Sequence, residues 1–235
     1  MNGIGMTFTC DPEKNSIVLG ENIILAGSII GTGNYIEIEY TRRPTTLVLA
    51  IYGNDNYIKI GRQALFNNLR IDIGSKRWGA SETRLTIGDQ FSIGGKGRFL
   101  LPNSGNRIAI GHNCMFSNSI VVRGGEYPHL IFDLETGAYL DVSDGIFIGD
   151  HCWVGEGAYI TKGVTIGRDC IVGARSVVTK RFDVNNAVIA GNPARIVKTG
   201  IQWVGNYKGL PDFPDLQKAF DASAVNRINQ RQKMP

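Results

Sequence analysis

Residues 148–183 read IGDHCW, VGEGAY, ITKGVT, IGRDCI, VGARSV, VTKRFD. The first position of each six is Ile148, Val154, Ile160, Ile166, Val172 and Val178, β-branched and aliphatic every time. The second is Gly149, Gly155, Thr161, Gly167, Gly173 and Thr179. The fifth is Cys152, Ala158, Val164, Cys170, Ser176 and Phe182, small in most turns. An α-helix has no use for an apolar period of six with a glycine beside each aliphatic. A parallel β-helix does: each hexad is one short strand and one corner, and three hexads close a triangular coil of about 18 residues. The first-position aliphatics then stack inside, where β-branched residues suit a strand. Glycine suits corners that need positive φ or close backbone approach.

Upstream the pattern recurs in pieces. Residues 19–30 read LGENII, LAGSII, and Ile60-Gly61, Ile87-Gly88, Ile93-Gly94 and Ile110-Gly111 continue it. Between them the period slips, so some turns carry insertions. Residues 124–145 interrupt the repeat between Val122 and Ile146 as one long loop, and a loop of that length in a compact repeat points to function. After Lys198 the pattern stops. The division expected is a β-helix over 1–198, with the loop insertion at 124–145, and a C-terminal extension over 199–235 in which residues 216–230 read as a packing or capping helix.

Composition narrows the function classes. Glycine is abundant, 30 of 235 residues, with only eight prolines, which suits many regular tight turns. Lys and Arg total 25 against 21 Asp and Glu, a net +4 too small and too scattered to argue for nucleic acid. No apolar run reaches the roughly 20 residues of a membrane helix. Met1-Asn2-Gly3-Ile4-Gly5-Met6 lacks the basic start and apolar stretch of a signal peptide. Cys10, Cys114, Cys152 and Cys170 are widely spaced, against a disulfide scaffold or zinc ribbon and in favour of a reduced, cytoplasmic setting.

The hexads resemble those of the hexapeptide-repeat acyltransferases, which fold as all-β, left-handed parallel β-helices. The most specific stretch is Val177-Val178-Thr179-Lys180 followed by Ala190-Gly191-Asn192-Pro193-Ala194-Arg195-Ile196-Val197-Lys198, which looks like the end of the sugar O-acetyltransferase branch. Pro128-His129-Leu130-Ile131-Phe132-Asp133, with Ile148 to Gly155 beyond it, looks like that branch's catalytic loop and next coil. The likeness is strong over residues 110–200 and nearest to enzymes that acetylate capsule, O-antigen or polysialic acid. Upstream, only the style of repeat is shared. The resemblance implies acetyl-CoA as cosubstrate, a saccharide acceptor, no metal, and a homotrimer with acetyl-CoA between neighbouring β-helices.

O-Acetylation needs a base for the attacking hydroxyl, and a histidine near its ordinary pKa of about 6.5 suits pH 7. His112 and His151 fall at third and fourth hexad positions, corner or surface sites. His129 lies in the long loop and matches the family's catalytic position. Its ring requires an acceptor to fix the tautomer. Glu126, Asp133 and a backbone carbonyl all qualify. Many relatives carry an acidic residue two positions before the histidine; here that position is Tyr127, with Glu126 one further away.

Trp153 ends the hexad before Val154, where it is expected to contact the pantetheine arm or the acceptor. By family match, Gly155, Glu156, Ala174, Thr179 and Lys180 line the pantetheine path, and Arg195 and Lys198 meet the adenosine phosphates. Glu156 departs from the small residue common there. The cysteines are poor nucleophile candidates, since Cys114, Cys152 and Cys170 all occupy the packing position of a hexad.

Three other readings compete. A zinc enzyme resembling γ-class carbonic anhydrases would need three convergent histidines, and their phases here differ, with no His-x4-His pair. A non-enzymatic β-helix module would have neither the projecting loop nor the CoA-matching terminus. An acyltransferase acting on an amino sugar or an antibiotic would differ in its acceptor pocket, built from residues 1–109 and the tail. There Tyr35, Tyr40, Tyr52, Tyr57 and Trp78 are candidates for an aromatic saccharide surface.

Overall fold

A computed structural model describes residues 7–223. The chain divides into two compact units, Met1–Ile201 and Gln202–Pro235. Within the first, strands that are parallel except for the last pair form a 13-stranded and a 7-stranded sheet among the described residues, wound as a left-handed parallel β-helix.

The repeat sets the coil. Ile148 pairs with Ile166, Val154 with Val172 and Ile160 with Val178, each 18 residues apart. All six are buried, so the first-position aliphatics stack inside as expected. The fifth-position side chains also turn inward: Cys114, Cys152, Ala158, Val164 and Cys170 have no exposed surface. The second position serves close approach. A Cβ on Gly149 would lie 2.7 Å from the Arg168 nitrogen of the next coil. The fourth position makes the corner in a left-handed backbone conformation, with φ of +71° at Gly157 and +51° at His151.

Upstream coils are longer, which is why the period slips there. Ile36 pairs with Ile58 and Ile87 with Ile110, 22 and 23 residues on, and Ile60 pairs with Ile87 across 27. The strands Ile23–Ile30, Thr45–Tyr52, Leu65–Ile73 and Ser92–Leu101 each turn a corner and cover two sides of the coil. The last of them makes this visible: its start pairs with Met115–Phe116 and its end with Ile120–Arg123. The wider interior is filled by Phe91, Phe99 and Phe116, packed edge to face with centroids 5.1 to 6.4 Å apart.

One corner carries a buried polar ladder. Asn34 N and Nδ2 donate to Asn15 Oδ1, Asn56 N and Nδ2 donate to Asn34 Oδ1, and Thr83 N and Oγ1 donate to Asn56 Oδ1. Each Asn Nδ2 also reaches a corner carbonyl, of Gly31, Gly53 or Ala80. Interior amides are stable only when satisfied in this way.

The repeat closes on an antiparallel pair, Ala187–Gly191 with Ala194–Thr199. In the second unit a 3-10 helix, Tyr207–Asp212, precedes an α-helix, Pro214–Asp221, started by a proline in its first turn. The helix expected over 216–230 thus begins earlier and ends at Asp221; residues 224–230 lie outside the described residues.

Candidate active site

Two insertions at the same corner of the coil build the site. Where the chain leaves the long-strand faces for the 7-stranded sheet, residues 53–56 and 102–106 make tight connections. Residues 74–83 and 124–145 are far longer. They wall a cleft of about 440 Å³. Its floor is the outer face of three coils, with Arg70 and Asp72, Arg98 and Leu100, and Arg123 on successive strands. Lys76 and Trp78 stand on one wall and Tyr127, Pro128 and His129 on the other. Sequence reading found the second insertion and missed the first, although the 27-residue step from Ile60 to Ile87 carried its signal.

The 124–145 loop is ordered rather than structureless. Phe132 and Tyr139 form an antiparallel bridge, and Asp133 caps the turn between them by accepting from the Glu135 and Thr136 nitrogens and Thr136 Oγ1. These bonds hold the Asp133 carboxyl below the ordinary carboxylate range. Asp141 anchors the base of the loop. Its side chain is wholly buried and accepts from Asn103 Nδ2 and the Glu126 nitrogen, both at 2.8 Å, and from the Lys162 ammonium of the next coil. Burial pushes its carboxyl up; the Lys162 ammonium, Asn103 and the Glu126 N–H outweigh burial and leave it below the usual range. Asn103 Oδ1 also accepts from the Tyr127 nitrogen. Neither Asn103 nor Asp141 was anticipated, because they lie far apart in sequence and belong to no motif.

Of the three histidines, two are fixed in coil corners. His112 Nδ1 accepts from the Asp89 nitrogen at 3.0 Å, and His151 Nδ1 lies 2.9 Å from Asp169 Oδ1. His129 is exposed on the cleft wall, its main-chain N–H donating to the Glu126 carbonyl at 3.1 Å. The Glu126 carboxylate is engaged by Arg123 Nε at 3.0 Å, and Asp133 by its own turn. The two acids considered as orienting partners are therefore both held elsewhere. Tyr127 meets Trp78 edge to face across the cleft at 6.4 Å.

The eight residues matched to a CoA path do not line this cleft. Trp153 opens the short strand Trp153–Val154 instead of merely closing a hexad, because main-chain pairing with Met115 and Ile171 begins there. Its indole donates to Ser117 Oγ at 3.3 Å. Gly155 and Ala174 occupy matching corners of adjacent coils, where a Cβ on Gly155 would meet the Ala174 nitrogen at 2.6 Å. Glu156, Ala174, Thr179, Lys180, Arg195 and Lys198 are exposed. The aromatic residues divide: Tyr52 and Trp78 line the His129 cleft, Tyr35 and Tyr57 stack at 5.4 Å on the 7-stranded sheet, and Tyr40 lies at a separate acidic corner with Glu37 and Glu39. Among the described residues, no cluster of His, Cys, Asp and Glu could hold a metal ion.

Residues 145–180 match the family described as bacterial transferase hexapeptide (six repeats). The chain is 34% identical over 193 residues to a polysialic acid O-acetyltransferase of Neisseria meningitidis, a span of 74% of this chain and 86% of the relative. A polysialic acid O-acetyltransferase of Escherichia coli O1:K1 / APEC is 38% identical over 122 residues, 52% of this chain and 38% of that protein. Among solved structures, the polySia-specific acetyltransferase NeuO superposes with a TM-score of 0.68 at 24% identity, over 91% of this chain and 94% of that one, a likeness of fold. The repeat, the coil and the relatives agree, and the chain belongs to the hexapeptide-repeat O-acetyltransferases.

Proposed function

We propose that the protein transfers acetyl from acetyl-CoA to a hydroxyl of an acidic surface saccharide, with His129 as general base. The observation that carries this reading is the placement of His129 on the wall of a cleft floored by Arg70, Arg98 and Arg123. A saccharide bearing carboxylates suits such a floor, as do the polysialic acid substrates of the relatives. Acetyl-CoA, when bound, supplies the thioester carbonyl. One His129 ring nitrogen takes the hydroxyl proton as the new C–O bond forms and the C–S bond breaks. The imidazolium then returns that proton to the departing sulfur, leaving an acetyl ester and free CoA thiol. Both substrates are held together, so rate comes from positioning as well as from proton transfer.

The proposed CoA path runs past Trp153, Gly155, Glu156 and Ala174 to Thr179 and Lys180, with Arg195 and Lys198 meeting the phosphates. Glu126 acts on His129 through its carbonyl and its grip on Arg123. A homotrimer would bring the CoA path of one chain to the loop of another. The loop's exposed Leu130, Ile131, Phe132, Leu134, Leu140 and Val142 support such a contact, being an apolar tip poorly suited to water. A cytoplasmic setting accords with the three buried free thiols.

The test is CoA release from acetyl-CoA with a panel of acidic and neutral bacterial saccharides, wild type beside His129→Ala. Release that depends on an acidic acceptor and falls by two or more orders of magnitude in the variant establishes reaction and base together. Release that survives the substitution removes His129 from the role. Release with amino sugars alone replaces O-transfer by N-transfer.

A further inference from the structure

The cleft beside His129 does not end at its floor. A second concavity, of about 340 Å³, opens on the same face and shares Arg70 and Arg98 with the first. It continues away from His129 past Asn68 and Lys96 to Ser119. The register explains the continuity. On the parallel strands Leu65–Ile73 and Ser92–Leu101, Asn68 stands opposite Lys96, Arg70 opposite Arg98 and Asp72 opposite Leu100. Outward residues two apart on a strand are separated by about 6.6 Å, and neighbouring strands by about 4.8 Å. Lys96 is therefore about one pyranose ring farther from His129 than Arg98.

The shared pair is tied to one carboxylate. Asp72 is only 10% exposed and holds both guanidiniums, accepting from Arg70 Nε and Nη2 on Oδ1 at 2.8 Å and from Arg98 Nε on Oδ2 at 2.6 Å. The arginines themselves stay about half exposed, at 46% and 54%. One carboxylate between two guanidiniums leaves a net positive charge, and Lys96 adds another. A guanidinium has five donors in a fixed fork, so Arg98 keeps its Nη edge for a ligand after giving Nε to Asp72. Fixing both forks in advance removes the rotamer cost of ordering long side chains on binding.

We infer that Arg70 and Arg98, oriented by Asp72, read a carboxylate on the acceptor saccharide, and that Lys96 reads the next one, so that the groove selects a chain of acidic sugars over a single unit. This deepens the proposed acetyl transfer and rests on it for the chemistry, though not for binding. Arg70 and Arg98 are specificity residues; Asp72 is a positioning residue that meets the acceptor only through them.

Binding is measured first, by tryptophan fluorescence titration with a sialic acid polymer, a sialic acid monomer as its methyl glycoside and the carboxyl-reduced polymer, without acetyl-CoA. Arg98→Lys keeps the charge and removes the fork, and is expected to weaken the polymer roughly tenfold, the scale of one charge-assisted pair. Lys96→Ala is expected to weaken the polymer about as much and to leave the monomer within twofold. The carboxyl-reduced polymer binds weakly to all, and a remote cation variant, Arg175→Ala, matches wild type. Melting temperatures within a few degrees of wild type certify the fold, and Arg70→Lys serves if Arg98→Lys fails that check.

Equal polymer affinity in wild type, Arg98→Lys and Lys96→Ala overturns the inference. So does a wild type that binds the reduced polymer as tightly, or none of the three saccharides. Polymer binding that weakens as stated, without acetyl transfer by wild type, keeps the groove and removes the proposed reaction. Where transfer occurs, Lys96→Ala should raise KM for polymer with kcat unchanged, a split that a merely structural lysine would not give.

Discussion

Asp141→Ala tests whether the loop that carries His129 is held by one buried carboxylate. The substitution removes the acceptor of the Glu126 N–H, of Asn103 Nδ2 and of the Lys162 ammonium. Hydrogen bonds to a charged group contribute about 1.5–3 kcal/mol each, and breaking a buried pair costs about 3–5 kcal/mol. Lys162 retains 24% exposure and can turn to water, so the lower end applies, about 3 kcal/mol. The loss falls on the loop, because the 18-residue coils pair without it. Local opening at Glu126 therefore becomes roughly a hundredfold easier. Native-state hydrogen exchange over residues 124–145 reads this directly, with the coil peptides as internal control. Asp141→Asn, which keeps one oxygen, should show a smaller rise. Acetyl transfer is expected to fall by about tenfold or more alongside, since Glu126, whose carbonyl accepts the His129 main-chain N–H, loses its anchor. Loop exchange within threefold of wild type in Asp141→Ala would refute the anchoring argument. The acid dependence has a definite sign. A lowered folded-state carboxyl stabilises above its ordinary value of about 4, so the anchor holds from neutral pH to below that value and is lost only as pH falls further.

Asn56→Ala deprives Thr83 N, Thr83 Oγ1 and the Ala80 carbonyl of their partners and is expected to cost about 3 kcal/mol in urea unfolding. The exposed Asn67→Ala is its control, and equal shifts would show that the ladder adds nothing. Gly149→Ala drives a Cβ to 2.7 Å from the Arg168 nitrogen, and should destabilise by about 2 kcal/mol or more; a neutral result would mean that the coils slide apart freely. A thiol reagent at pH 8 should label Cys10 first and the other three cysteines only on unfolding. All three are fully buried, and contact with the Cys114 sulfur, more than burial, pushes Cys152 up to about 12. Fast native labelling of Cys114, Cys152 or Cys170 would reopen a thiol role.

The coil was legible because each hexad position has its own physical duty. Ile148 stacks, Gly149 admits the next backbone, His151 and Gly157 turn the corner, and Cys152 fills the interior. Those duties repeat locally, so a single stretch discloses them. Upstream, Ser92–Leu101 turns its corner inside one continuous strand, and the period disappears from view. His129 was legible as the one histidine outside the hexads. Its surroundings were not. Lys76, Arg70, Arg98 and Arg123 come from four places on the chain and meet only because coils stack in register. The grip of Arg123 on Glu126 is likewise a matter of folded geometry, and sequence had offered that acid to the histidine.

The asparagine ladder has a direction. In every rung the later coil supplies the donors and the earlier coil the Oδ1 acceptor, from Asn15 to Asn34 to Asn56 to Thr83. Synthesis also runs from the N-terminus, so each finished coil presents a vacant acceptor to the coil that emerges next. The solenoid can thus lengthen as a polymer does, by adding units to a growing end whose last side chain is the template. Asn15 is the seed of that growth, and Thr83 ends it: at the same corner of the next coil, Asn106 accepts from the Asn103 nitrogen of its own turn.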